Sequence, residues 1–136
     1  VDSNCLDLFA GSGILAIEAL SRGAKSAVAI ERDPELLKKL QQLQQRFAAN
    51  LISYHNEANA WLEHNQNKKF DIIFLDPPYK EKKINSLIDI IKEKEILKNN
   101  GILIIHRHKK DDIEITDSLN ILDTRYYGIS KIIIGN

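Results

Sequence analysis

Phe70-Asp71-Ile72-Ile73-Phe74-Leu75-Asp76-Pro77-Pro78-Tyr79 runs four apolar side chains in succession into an acid and two prolines. A strand with one wet face alternates apolar and polar residues. An unbroken run such as Ile72–Leu75 suits a parallel sheet covered on both faces. The prolines donate no N–H and end the strand. Working outward, runs of similar character occur at Cys5–Ala10, Ser26–Glu31, Leu51–His55 and Ile102–His106. Helical stretches lie between them: Leu15–Ser21 closed by Gly23, Glu35–Ala49 with Leu36, Leu37, Leu40, Leu43 and Phe47 on one face, Ala58–Glu63, and Ile84–Leu97. This alternation predicts an α/β fold with a doubly wound, mostly parallel sheet. Asn120–Tyr126 and Ser130–Ile134, separated around Gly128, bring the count to seven strands as an antiparallel C-terminal hairpin. Residues 1–136 read as a single domain, with no repeat, linker or low-complexity tract.

Ligands in such a sheet bind beyond the carboxyl ends of the strands, where strand order reverses. The first strand ends in Asp7-Leu8-Phe9-Ala10-Gly11-Ser12-Gly13, with a helix directly after. Gly11 and Gly13 permit a tight turn and close approach of backbone to a ligand. Eighteen residues past Gly13, Glu31 ends the second strand, where a carboxylate can accept both hydroxyls of a ribose. Gly11-Ser12-Gly13-Ile14-Leu15-Ala16 also satisfies the dinucleotide fingerprint, which makes NAD a competitor. Asp7 weighs against it: a carboxylate suits an ammonium group better than a pyrophosphate. The pattern favours S-adenosyl-L-methionine, a cofactor that carries no phosphate.

Asp76-Pro77-Pro78-Tyr79 fits the same chemistry. An exocyclic amine on a nucleobase is a poor nucleophile because its lone pair is delocalised into the ring. Asp76 and the Pro77 carbonyl can each accept one of its two protons, which aims the lone pair at a methyl sulfonium. Tyr79 offers a face for a flipped base, worth about 1–3 kcal/mol against the cost of unstacking it. Catalysis of this kind is mostly alignment of donor and acceptor.

Asp7–Gly13 with Glu18-Ala19-Leu20-Ser21-Arg22-Gly23-Ala24, Glu31, Asp76–Tyr79 and Tyr127-Gly128 together resemble the bacterial small-subunit ribosomal RNA guanine-N2 methyltransferase family over essentially the whole chain. The resemblance implies a class I, Rossmann-like methyltransferase acting on a guanine of 16S rRNA, within partly assembled small-subunit particles. It implies that Asp7, Phe9, Gly11, Ser12, Gly13 and Glu31 surround S-adenosyl-L-methionine, that Asn59 and Ala60 reach the adenine edge, and that Asp76, Pro77, Pro78 and Tyr79 hold the target guanine. Family members carry an N-terminal segment with a basic hairpin ahead of the Asp7 motif. The chain is accordingly read as a catalytic domain lacking that RNA-gripping segment. A second departure is His106-Arg107-His108-Lys109-Lys110, where the family is often acidic.

Composition sets the remaining bounds. The 19 basic and 19 acidic residues cancel, which by itself argues against a phosphate-rich partner. Residues Lys68–Lys110 nevertheless hold 11 basic against 6 acidic side chains, a surplus that brackets Asp76–Tyr79. Lys80, Lys82, Lys83, Arg107, Lys109 and Lys110 are the candidates for RNA phosphates. His106 and His108 share a strand face, but with no Cys partner and no acid at ligand spacing no metal is expected. Cys5, the single cysteine, reads as a small buried residue, Trp61 as core, and the absence of a membrane span or signal peptide as cytoplasmic. A monomer is favoured. The alternatives are a DNA adenine-N6 or cytosine-N4 methyltransferase, an NAD-binding oxidoreductase, and a non-catalytic RNA-binding assembly factor. A chain of 136 residues leaves no room for a DNA target-recognition domain.

Overall fold

A computed structural model describes residues 3–11, 13–46, 50–78, 83–111 and 114–136. Seven strands, β1 (Asn4–Asp7), β2 (Ser26–Glu31), β3 (Leu51–His55), β4 (Phe70–Leu75), β5 (Leu97–His108), β6 (Ile121–Tyr127) and β7 (Ser130–Gly135), form one sheet in the order β3-β2-β1-β4-β5-β7-β6. The first five are parallel, and β7 and β6 close the sheet antiparallel, as the sequence predicts. Four helices, α1 (Ile14–Ser21), α2 (Pro34–Arg46), α3 (Ala58–His64) and α4 (Ile84–Glu93), connect the parallel strands.

Successive strand residues supply two cores. Leu6, Ile30, Ile73 and Leu75 pack on one face with Trp61 and Leu62 of α3 and Leu87, Ile88 and Ile91 of α4. Cys5, Ala27 and Ala29 pack on the other with Ala16 of α1 and Leu40 of α2. The central strands β1, β2 and β4 pack residues on both faces, which is why their runs read as continuous, whereas β6 at the sheet edge is mostly exposed. Cys5 is buried, which pushes its thiol above its ordinary range. Trp61 is core, with its ring against Tyr54 and Phe70.

Some boundaries differ from the sequence reading. β1 ends at Asp7 instead of Ala10 because the chain changes partner there: Leu8 N–H still reaches Phe74 O on β4, but Ala10 N–H reaches Ile30 O on β2. α4 stops at Glu93 rather than Leu97. Glu95 takes φ +53°, its N–H bonds to Lys92 O and the Ile96 N–H to Ile91 O, a Schellman ending built without glycine. α1 ends the same way with Gly23 at the left-handed position, as expected. β5 begins five residues before Ile102, because Leu97 pairs with Phe70 across a bulge.

Gly13 shows what the glycine loop does for packing. Its φ is +89°, and a Cβ there would lie 2.6 Å from Leu40 Cδ1. The residue lets α1 start close against α2. Gly13→Ala is expected to cost about 1–3 kcal/mol in urea unfolding at unchanged m-value, from backbone strain plus overpacking. A loss below about 0.5 kcal/mol would mean that neither operates.

Candidate active site at the strand-order reversal

The strand order turns between β1 and β4, and a cavity of about 1050 Å³ opens there at their carboxyl ends. That is at the top of the range for small-molecule sites. Its lining draws on four strand ends: Phe9, Ala10 and Gly11 after β1, Glu31 at the end of β2 with Asp33 beyond it, Asn56 and Glu57 after β3, and Asp76, Pro77 and Pro78 after β4, with Asn59 of α3 and Lys83 before α4. Gly11 has φ +57° and nothing within 4 Å of a built Cβ, so its backbone faces free space.

Of the sequence-predicted cofactor residues, Phe9, Gly11, Glu31 and Asn59 border the cavity. Asp7, Gly13 and Ala60 are not among its lining residues, and Gly13 packs at the α1–α2 contact. Asp7 lies beneath the loop at 2% exposure. Its Oδ1 accepts the Phe9 N–H at 3.2 Å, and its Oδ2 is buried with no hydrogen-bond partner among the described residues. Burial pushes its carboxyl up to about 7; the Phe9 N–H opposes that, and the nearby Asp76 and Glu31 charges add to it. A buried acceptor facing two further acids is suited to a cation and hostile to a pyrophosphate.

Glu31 is also held in place. Gly11 N–H donates to its Oε1 at 2.8 Å and Asp33 N–H to its Oε2 at 2.6 Å. Each oxygen keeps a second lone pair, enough for the two hydroxyls of a ribose. These two backbone contacts escaped the sequence reading, because they depend on the loops curling toward one another.

Asp76 follows β4 directly; its side chain is 44% exposed and accepts from His106 Nδ1 at 2.8 Å. Pro77 is buried and Pro78 exposed. Ser12, Tyr79, Lys80 and Lys82 lie outside the described residues. Lys83, Lys109 and Lys110 are exposed, and Lys83 borders the cavity. Arg107 departs from its expected place. It alternates inward with Leu103 and Ile105, is 7% exposed, and pairs with Asp111. A guanidinium so enclosed supports the β5 end instead of meeting phosphates. Among the described residues no cluster of three or more metal-ligating side chains occurs, and no helix is long and apolar enough to cross a membrane.

The family model described as "Conserved hypothetical protein 95" matches residues 1–136. The chain belongs to that family. Ribosomal RNA small subunit methyltransferase D of Haemophilus influenzae is 33% identical over 133 residues, covering 93% of this chain and 68% of the relative. The protein of the same name from Buchnera aphidicola (strain APS) is 34% identical over 113 residues, 82% of this chain, which spans 59% of that relative's length. A conserved hypothetical protein of Streptococcus pyogenes superposes with a TM-score of 0.88 at 32% identity, covering 98% of this chain and 84% of the other. SMU.776, solved complexed with SAH, shares the fold at 16% identity, with a TM-score of 0.79 over 100% of this chain and 46% of its own.

Proposed function

We propose that the chain is the catalytic domain of an S-adenosyl-L-methionine-dependent RNA methyltransferase that modifies the exocyclic N2 of a guanine in 16S rRNA, on small-subunit particles. The observation that carries this reading is that Asp76-Pro77-Pro78 borders the same cavity as Gly11, Glu31 and Asn59, with the buried carboxyl of Asp7 near enough to sense the Asp76 and Glu31 charges. The names of the family relatives support the RNA substrate, and SMU.776 with SAH supports the cofactor class.

When bound, S-adenosyl-L-methionine supplies an electrophilic methyl group on a sulfonium. Asp7 would accept its ammonium, Glu31 would accept its ribose hydroxyls, and Asn59 would meet its adenine edge. The carboxylates of Asp7, Glu31 and Asp76 together favour a cationic ligand. Asp76 and the Pro77 carbonyl each accept an N–H of the guanine amine and fix the direction of its lone pair. Tyr79 supplies the stacking face. The proton displaced on N-methylation passes to Asp76, whose half-exposed carboxyl returns it to water.

Methyl transfer to small-subunit particles lacking the modification, followed by nucleoside analysis, tests the reading. N2-methylguanosine is expected; N6-methyladenine or N4-methylcytosine on DNA would replace the substrate. Calorimetry should detect SAH, and binding of NAD alone would overturn the cofactor. Lys83, Lys109 and Lys110 stand along the same sheet edge as Asp76, which suits phosphates of the RNA. Their replacement by glutamine should reduce the slope of log affinity against log salt by about one per lost contact. An unchanged slope would return them to the solvated surface.

A further inference from the structure

His106 on β5 lies between two short contacts. Its Nδ1 is 2.8 Å from Asp76 Oδ1, and its Nε2 is 2.8 Å from Ser130 Oγ. The sheet register produces both. Leu75 pairs with Ile105, so residues 76 and 106 emerge side by side at the carboxyl edge. Ser130 pairs with His108 across the antiparallel β5–β7 ladder, one pleat along from His106. Three segments far apart in sequence therefore meet at one imidazole.

The row Asp76–His106–Ser130 has the contact order of a hydrolase triad, in which the hydroxyl meets the substrate and the acid sits behind. Here the polarity is opposite. Asp76 borders the cavity, whereas His106 and Ser130 are not among its lining residues. The carboxylate is the working end and the hydroxyl is the anchor.

We infer that His106 is a positioning residue that fixes the orientation of Asp76, and that Ser130 anchors the far side of the ring in the tautomer Asp76 imposes. The inference rests on the proposed amine methylation for what Asp76 does, while the hydrogen-bonded row stands on geometry alone. A carboxylate can only accept, so the imidazole proton resides on Nδ1. Neutral imidazole then offers a lone pair at Nε2, which the Ser130 hydroxyl satisfies by donating. Asp76 Oδ1 is committed to the imidazole, and the carboxylate plane is fixed with Oδ2 left for the amine. Without this contact a side chain 44% exposed would sample several rotamers, few of them aligned with an incoming base. The row also gives the histidine at the end of β5 a use that needs no metal.

Two measurements on the whole chain test this. In ¹⁵N spectra of the imidazoles, the His106 signal, assigned by its loss in His106→Asn, should show the Nδ1-protonated tautomer. Asp76→Asn should move that proton to Nε2, since the amide can donate to Nδ1 and Ser130 can accept. An Nε2-protonated wild type, or a tautomer indifferent to Asp76→Asn, would overturn the inference. In methyl transfer, His106→Ala should lower kcat by at least about tenfold, the effect of one charge-assisted hydrogen bond, with KM for S-adenosyl-L-methionine unchanged. His106→Asn, whose amide nitrogen can sit where Nδ1 does, should recover most of the rate; His106→Gln, which matches Nε2, should not. Equal rates for His106→Ala and wild type, or for the Asn and Gln variants, would overturn the role. A wild type that makes no N2-methylguanosine but shows the Asp76-dependent tautomer would refute the substrate and support the row.

Discussion

Asp76→Ala is expected to lower guanine methylation by about 10³-fold while leaving SAH affinity within about tenfold. The size follows from two losses at one atom pair. Proton acceptance by a placed side chain contributes about 10²–10⁴-fold, and alignment of the attacking lone pair comes with it. Gly11, Glu31 and Asn59, the residues proposed to hold the cofactor, are on other elements of the cavity wall, so binding should survive. Removing the Asp76 charge also eases the crowding of acids around Asp7, which works against loss of fold. Asp76→Asn separates the two losses. It keeps an acceptor oxygen but is not a base, so a reduction of about tenfold would mean that alignment dominates, and one as deep as alanine that proton acceptance does. Single-turnover transfer from labelled S-adenosyl-L-methionine, with SAH calorimetry on each variant, measures both. Full activity in Asp76→Ala would remove the residue from catalysis.

The sheet was legible because hydrophobic burial on two faces leaves a direct mark in composition. Ser26–Glu31 and Leu51–His55 have the boundaries read from sequence, and the reversal of strand order follows from the alternation of elements. What escaped was set by partners. The sequence Leu97-Lys98-Asn99-Asn100-Gly101 has the composition of a turn, yet pairing of Leu97 with Phe70 makes it strand, with Gly101 leaving room for Leu97 Cδ1 at 2.8 Å from its built Cβ. Glu95 sits where a glycine would normally announce the end of a helix.

The site divides in the same way. That Gly11, Glu31 and Asp76 share one cavity was legible because each stands at the carboxyl end of a strand, the edge where such sheets bind ligands. His106 as the partner of Asp76 was not, since it depends on a register between strands 30 residues apart in sequence. Arg107 was grouped with Lys109 and Lys110 by adjacency along the chain. Alternation along β5 separates them, and inward residues Leu103, Ile105 and Arg107 oppose outward His106 and His108. A basic run that crosses the end of a strand is two surfaces, and only the exposed one, Lys109 and Lys110, is open to a ligand.

Asp7→Asn should move stability and cofactor affinity in opposite directions. In the folded chain Asp7 holds its proton up to about pH 7, against an ordinary value of 3.8. Between those values the unfolded chain has released a proton that the native one retains, so stability falls as pH rises from about 4 to 7 and is level above. The full loss is about 4 kcal/mol, the gap in proton affinity at about 1.4 kcal/mol per pH unit. Asparagine removes it, but its amide N–H groups inherit the Oδ2 position, which has no partner among the described residues, at a cost of about 1–3 kcal/mol. The balance at pH 8 is a gain of about 1–3 kcal/mol in urea unfolding, with no such gain near pH 4. SAH affinity should fall by at least about tenfold in the same protein, through loss of the charge proposed to meet the ammonium. Wild-type affinity should strengthen between pH 6 and 8, because a cation binds the ionised acid, whereas the variant should be flat over that range. Destabilisation at pH 8 would mean that the carboxylate is solvated or paired in solution, and unchanged SAH binding would place the ammonium elsewhere. Both expected results together would identify Asp7 as a residue kept for its ligand at the expense of the fold.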